Sequence, residues 1–206
     1  MTSAIRCFIA VELPEYVLLK IAEYIEKLRP LASNIKWVRT TGIHITLKFL
    51  GEISESQVEL VRDKLAPIRV PHRAFNLTIH GSGFFPSQKN PRVVWIGLDH
   101  DKERSLFTIH QWVEDVLETI NFQREKRRFS PHVTLGRIKH PGNLTKLISY
   151  LETNPFEPVS FAIDSVNLMR SILKPDGAKY SVIESYPLTG RNTVIRQQDN
   201  NGLNPV

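Results

Sequence analysis

Residues 43–47, Ile-His-Ile-Thr-Leu, and residues 131–135, Pro-His-Val-Thr-Leu, are two versions of one short pattern set 88 residues apart. In each, polar and apolar side chains alternate, so on a strand the His and the Thr project from one face. Ile45 and Leu47, and likewise Val133 and Leu135, project from the other face toward a core. A chain that offers an imidazole and a hydroxyl on one side of a strand, twice, can surround a phosphate from two sides.

With 7 His and 12 Thr in 206 residues, roughly 0.4 accidental His-x-Thr steps are expected. Two copies that also share the apolar flank and the Leu amount to roughly a one-in-a-thousand coincidence. A single His beside a Thr reads as a satisfied core polar group. The pairing is what carries the signal.

Outward from the motifs, the chain alternates strands and helices. A strand over 5–11 is followed by an amphipathic helix over 14–31, with Leu18, Ile21, Ile25 and Leu28 on one stripe. The first motif strand covers 44–50 and stops at Gly51. Ser54, with Gln57 three residues on, opens a helix to residue 66. Strands are expected over 75–80 and 93–98, separated by a turn-rich loop from Gly81 to Pro91. The second half repeats the order: a helix over 102–120, the second motif strand over 132–138, a helix over 144–151, then strands over 159–169 and 179–186 joined by a turn at Pro175-Asp176-Gly177. This repeat of strand, helix, motif strand, helix, strand suggests a duplication with the motif strands related by an approximate two-fold axis. Residues 1–190 are read as one bilobal unit, and the polar residues 191–206 as a flexible tail.

Composition bounds the function. With 41% apolar and 23% charged residues, wholesale disorder is excluded. The net charge of +6 favours anionic partners. Cys7 is the one cysteine, which excludes an internal disulfide and a cysteine-based zinc site. No apolar stretch is long enough to span a bilayer, and the run over 5–11 is too short for a signal-peptide core, so a cytoplasmic protein is expected. Walker and dinucleotide-binding glycine patterns are absent, as are HExxH and His-x-His metal patterns.

Cleaving a phosphodiester without a metal needs a base for the nucleophile and an acid for the leaving oxygen. Histidine suits both tasks near neutral pH, and Thr hydroxyls one strand step away can donate to the non-bridging oxygens. The two motifs therefore match metal-independent phosphoryl transfer. Lys48 shares strand parity with His44 and Thr46, which allows it to neutralise a phosphate or simply to sit at the sheet edge. Arg137 has the opposite parity to His132, so a structural role is as good a reading as substrate binding. Phe84 and Phe85 lie in the expected loop, where one ring can stack on a base or plug the core. The basic run Arg124–Arg128, beside the second motif, is either a solvated connection or a surface that steers RNA.

At these residues the chain resembles the two-histidine phosphoesterase superfamily, whose mark is a pair of His-x-Thr/Ser motifs. More narrowly it is similar to the bacterial and archaeal RNA 2′,3′-cyclic phosphodiesterases, also named LigT or 2′-5′ RNA ligases. The likeness runs over 4–188: Arg6-Cys7-Phe8-Ile9-Ala10-Val11, Gly42 to Gly51 with Trp37 before it, Gly83-Phe84-Phe85-Pro86 with Pro91-Arg92-Val93-Val94-Trp95, Phe129 to Arg137, and Arg170-Ser171 with Tyr180 and Tyr186-Pro187-Leu188. The resemblance implies an α+β fold in which two antiparallel sheets face each other across a central cleft with helices outside. It implies hydrolysis of an RNA 2′,3′-cyclic phosphate to a 2′-phosphate, with His44 as proton donor to O3′ and His132 as proton acceptor. Thr46 and Thr134 would hold the phosphate oxygens. No cofactor or metal is implied; the partner is RNA with such ends, and a monomer is expected. Alternatives are 2′-5′ ligation by the same site, hydrolysis of a small cyclic nucleotide, or non-catalytic RNA binding.

Overall fold

The computed structural model describes residues 4–69, 72–99, 104–140, 142–174 and 177–189. The expected tail after residue 190, two residues of the expected turn at 175–177 and the first two residues of the helix expected over 102–120 lie outside them. In chain order the main elements are β1(Ile5–Glu12), α1(Glu15–Leu28), β2(Ile35–Trp37), β3(His44–Ile53), α2(Glu55–Leu65), β4(Phe75–Ser87), β5(Asn90–Leu98), α3(Ser105–Glu118), β6(Val133–Ile138), α4(Thr145–Thr153), β7(Val159–Ile163), β8(Ser165–Lys174) and β9(Gly177–Pro187).

The strands form two antiparallel sheets, ordered β3-β1-β8-β9 and β2-β6-β5-β4-β7. Leaving out the short edge strand β2, the orders correspond: β1 and β5 have a motif strand on one side (β3 or β6) and a hairpin strand on the other (β8 or β4). The expected duplication is therefore visible as pairing, and the α+β class with two facing sheets holds. Each sheet takes strands from both halves of the chain, because β4 joins β5 and the terminal β8 and β9 join β1.

Alternation along β1 shows how the sheets bury their faces. Cys7, Ile9 and Val11 belong to the main core with the helices, including Val17, Ile21 and Leu28 of α1. Phe8 and Ala10 point the other way and form a small separate cluster with Met169, against which Tyr180 packs. That second face is the cleft. The expected start of α2 holds in detail: Gln57 N donates to Ser54 Oγ at 3.2 Å and Ser54 N donates to Gln57 Oε1 at 3.0 Å. Reciprocal satisfaction of two end donors stabilises such a helix start by about 1 kcal/mol.

Two expected boundaries are corrected. The supposed loop over 81–91 is a long hairpin: β4 continues to Ser87 and β5 begins at Asn90. Its glycines mark a register shift between His80 and Gly83 rather than a loop, Gly81 taking a φ of +63°, a backbone that suits glycine. The supposed strand over 159–169 is two strands in different sheets, with β7 pairing β4 and β8 pairing β1 on either side of Asp164. The polar pair Asp164-Ser165 interrupts the apolar pattern where the chain changes sheets, a break that a single strand over 159–169 passes over.

Candidate active site

His44 opens β3 and His132 immediately precedes β6, so both histidines enter their sheets at matching positions. Each is anchored by backbone two residues upstream. His132 Nδ1 lies 2.8 Å from the Ser130 carbonyl, and His44 is hydrogen-bonded to the Gly42 backbone. With Nδ1–H donating to Ser130, a neutral His132 has its Nε2 lone pair free to accept a proton. Burial lowers the pKa of His44 to about 4, helped by the charge of His132 and opposed by the Gly42 bond. Burial also lowers that of His132, with a further lowering contribution from Arg137 and opposition from the Ser130 bond. Burial thus leaves both imidazoles neutral at pH 7.

Aromatic rings hold each imidazole. His44 lies 4.7 Å from the Phe8 ring and meets Tyr180 edge-on at 5.0 Å. His132 meets Phe85 at 4.8 Å and 72°, and Phe85 in turn tilts against Trp95 at 5.1 Å. Trp95 lies across its strand partner Gly83, where a Cβ would fall 2.5 Å from the ring. Any side chain at residue 83 would displace the indole and, through Phe85, the imidazole. Of the two phenylalanines expected in this segment, Phe84 is 9% exposed and belongs to the core. Reading Phe84 as a base-stacking residue is thereby corrected: adjacent residues on a strand point to opposite faces, and Phe85 is the one in the cleft.

Thr46 pairs with Ala10, and Thr134 pairs with Trp95, which puts both hydroxyls on the cleft face. Neither Thr hydroxyl has a hydrogen-bond partner among the described residues, so both are free to donate to a ligand.

Immediately after each Thr the strand bulges. Opposite Ile9 and Ala10 stand Lys48 and Thr46, leaving Leu47 extra; opposite Val94 and Trp95 stand Gly136 and Thr134, leaving Leu135 extra. An extra residue reverses the parity of everything beyond it. Lys48 is therefore turned away from the cleft, contrary to the expectation from simple alternation. It is 5% exposed, with Nζ 2.6 Å from Glu114 Oε2 and donating to the Gln123 carbonyl at 2.8 Å. It is removed from the candidate substrate contacts. Arg137 undergoes the opposite correction. It pairs with Val93, two residues from Trp95 on β5, and so shares the cleft face, where its charge reaches His132.

The bulges make Phe49 and Arg137 equivalent positions in the two sheets, partnered by Phe8 and Val93. One lobe thus presents an exposed ring (Phe49, 67% exposed) where the other presents a cation. Phe49, Phe8, Met169 and Val182 form one cross-strand row over the first sheet. Alternation from His44 assigns Phe49 to the core, so sequence reading misses it as a site residue. Among the described residues no three His, Cys, Asp or Glu side chains gather in a way that would hold a metal ion.

Comparison with known proteins agrees with this architecture. The family model of the 2′-5′ RNA ligase superfamily matches residues 18–174. A protein of Aeropyrum pernix described as an RNA 2′,3′-cyclic phosphodiesterase is 38% identical over 150 residues, covering 72% of this chain and 84% of its own length. One from Thermotoga maritima with the same description is 32% identical over 179 residues, covering 86% and 92%. Among solved structures, TT0787 of Thermus thermophilus has a TM-score of 0.74 at 27% identity, covering 89% of this chain and 97% of that one. E. coli LigT in apo form shares the fold, with a TM-score of 0.72 at 22% identity over 91% and 99%. The paired motifs, the two facing sheets and the family match together place this chain in the 2′-5′ RNA ligase superfamily.

Proposed function

We propose that this protein hydrolyses the 2′,3′-cyclic phosphate at an RNA end to a 2′-phosphate, with no metal ion in the chemical step. The observation that carries the reading is the pair of backbone-anchored imidazoles, His44 and His132, entering the two motif strands at matching positions and followed on the same face by the free hydroxyls of Thr46 and Thr134. Its relatives' descriptions as RNA 2′,3′-cyclic phosphodiesterases support the substrate class.

In this scheme the cyclic phosphate sits between the two motif strands. His132, through its free Nε2, takes a proton from the attacking water. His44 gives a proton to O3′ as the P–O3′ bond breaks, leaving the phosphate on O2′. The division of labour follows the family pattern, since the two histidines are anchored alike. Thr46 and Thr134 donate to the non-bridging oxygens, where charge develops, and Arg137 adds a cation on the same face. A neutral His44 must first gain its proton; an anionic phosphodiester beside it raises its pKa and favours that gain. Two neutral imidazoles thus become an acid and a base when substrate arrives. No described helix is long and apolar enough to cross a membrane; we place the reaction in the cytoplasm, carried out by a monomer.

The test is incubation with an oligoribonucleotide ending in a 2′,3′-cyclic phosphate, in EDTA, with 2′- and 3′-phosphate products resolved. Conversion to the 2′-phosphate is expected. Formation of the 3′-phosphate, or activity that chelation abolishes and a divalent ion restores, contradicts the scheme.

A further inference from the structure

Between α3 and β6 the chain crosses toward the second motif through an exposed segment, Arg124-Glu125-Lys126-Arg127-Arg128. It is fastened at both ends. At its start, the carbonyl of Gln123 accepts a 2.8 Å hydrogen bond from the buried Lys48, whose ammonium is held by the equally buried Glu114. Arg124 is pinned to α3 through Asp115 and, at 2.9 Å, through Glu118. At its end, the ring of Phe129 stacks on His110 of α3 at 3.9 Å and 9°, and meets Phe107 edge-on. The next residue, Ser130, supplies the carbonyl that orients His132. Inside the segment, Arg127 N donates to Glu125 Oε1 at 3.3 Å.

Some exposed cations of the chain are paired, Arg29 with Glu26 and Arg62 with Glu59 and Glu184. Others, such as Lys20, Lys64, Lys89 and Lys146, have no carboxylate partner among the described residues. This segment differs in carrying three unpaired cations in a row, since Lys126, Arg127 and Arg128 have no carboxylate partner among the described residues either. A buried ion pair such as Lys48–Glu114 adds little stability relative to an apolar pair, so holding the segment in register accounts better for its presence. The result is three unneutralised cations on a fixed support, two to four residues before the anchor of a cleft histidine.

We propose that residues 126–128 form a fixed cationic arm that binds backbone phosphates of the RNA on the 5′ side of its reacting end. A 2′,3′-cyclic terminus has no chain beyond its 3′ oxygen, so all further phosphates of the substrate leave the cleft from the 5′ side. A row of cations on the segment that leads into the anchor of His132 is placed in the chain to meet those phosphates, whereas a mononucleoside cyclic phosphate has none to offer. This deepens the cyclic phosphodiesterase reading and rests on it: the substrate is RNA, and the arm is how the enzyme distinguishes it from a free nucleotide.

The experiment compares the wild type with the triple variant Lys126→Ser, Arg127→Ser, Arg128→Ser on two substrates. One is an oligoribonucleotide ending in a 2′,3′-cyclic phosphate; the other is a mononucleoside 2′,3′-cyclic phosphate. On the oligonucleotide, kcat/KM is expected to fall about tenfold or more at low salt, mainly through KM, with the salt dependence of log KM shallower by about 2 for three lost phosphate contacts. Turnover of the mononucleotide is expected to stay within about twofold. Fluorescence anisotropy with the 2′-phosphate-ended oligonucleotide gives the same comparison without turnover. A triple variant equal to wild type on the oligonucleotide overturns the arm, and so does equal loss on both substrates. A wild type that turns over neither substrate while binding the oligonucleotide through these residues overturns the cyclic phosphodiesterase reading and leaves the arm standing.

Discussion

Lys48 Nζ lies 2.6 Å from Glu114 Oε2 with both side chains 4% exposed, on the side of β3 that faces α3 rather than the cleft. Removing one partner leaves a buried charge uncompensated, which costs about 3–5 kcal/mol. Lys48→Met is therefore expected to lower the urea midpoint strongly, and Lys48→Met with Glu114→Leu to recover much of the loss. The KM for a mononucleoside cyclic phosphate is expected to stay nearly constant in both. A raised KM with unchanged stability would instead put Lys48 in contact with phosphate.

Arg137 reaches the cleft only because Leu135 is extra in β6. Arg137→Ala is expected to lower kcat by about 10²-fold, the scale of losing one donor to developing charge. It also removes a cation that holds the His132 pKa down, so the limb of the pH–rate profile due to His132 is expected to move to higher pH. Arg137→Lys should restore much of that electrostatic effect and less of the rate. A profile that Arg137→Ala leaves in place contradicts this placement of the guanidinium.

The depressed histidines set a pH signature. Between about pH 6.5 and pH 4 the unfolded chain binds a proton at residue 44 that the folded chain refuses, so folding stability falls as pH drops through that window. The loss amounts to about 3 kcal/mol at its lower edge, and His44→Phe should flatten it. For catalysis, kcat/KM reports the free enzyme, so its optimum is expected below pH 6.5. The kcat profile should lie at higher pH, because bound anionic substrate raises both imidazoles. A kcat/KM profile with both limbs above pH 7 contradicts the burial of the two rings.

Phe84 and Phe85 separate core from cleft. Phe84→Ala is expected to cost about 3–5 kcal/mol of stability by opening a core cavity. Phe85→Ala should cost less stability and more activity, since its ring contacts His132 and Trp95. Thermal unfolding and kcat measured side by side decide this. Equal effects on both quantities would deny the two rings their different faces.

Much of the fold was legible because its signals are local. The alternation at 43–47 and 131–135 placed His44, Thr46, His132 and Thr134 on common faces, and Ser54 with Gln57 marked a helix start. The bulges at Leu47 and Leu135 were not legible in the same way. Leu47-Lys48-Phe49 reads as continued alternation, and nothing in those residue types records an unpaired position; Gly136 beside Leu135 was the one available hint. From this single blind spot follow the misplacement of Lys48, the omission of Phe49 and the ambiguity over Arg137. Tyr180 and Phe8 escaped notice as neighbours of His44 for another reason: they come from β9 and β1, and only tertiary pairing brings them to it.

The central claim is that two imidazoles share the acid and base work on a cyclic phosphate. Turnover of the cyclic-ended oligoribonucleotide in EDTA by His44→Ala and by His132→Ala, each shown by circular dichroism to be folded, tests it most directly. Both variants are expected to lose nearly all activity while still binding the 2′-phosphate product. Retention of more than about a tenth of the wild-type rate by either, against the larger losses usual for removal of a general acid or base, contradicts the two-imidazole mechanism.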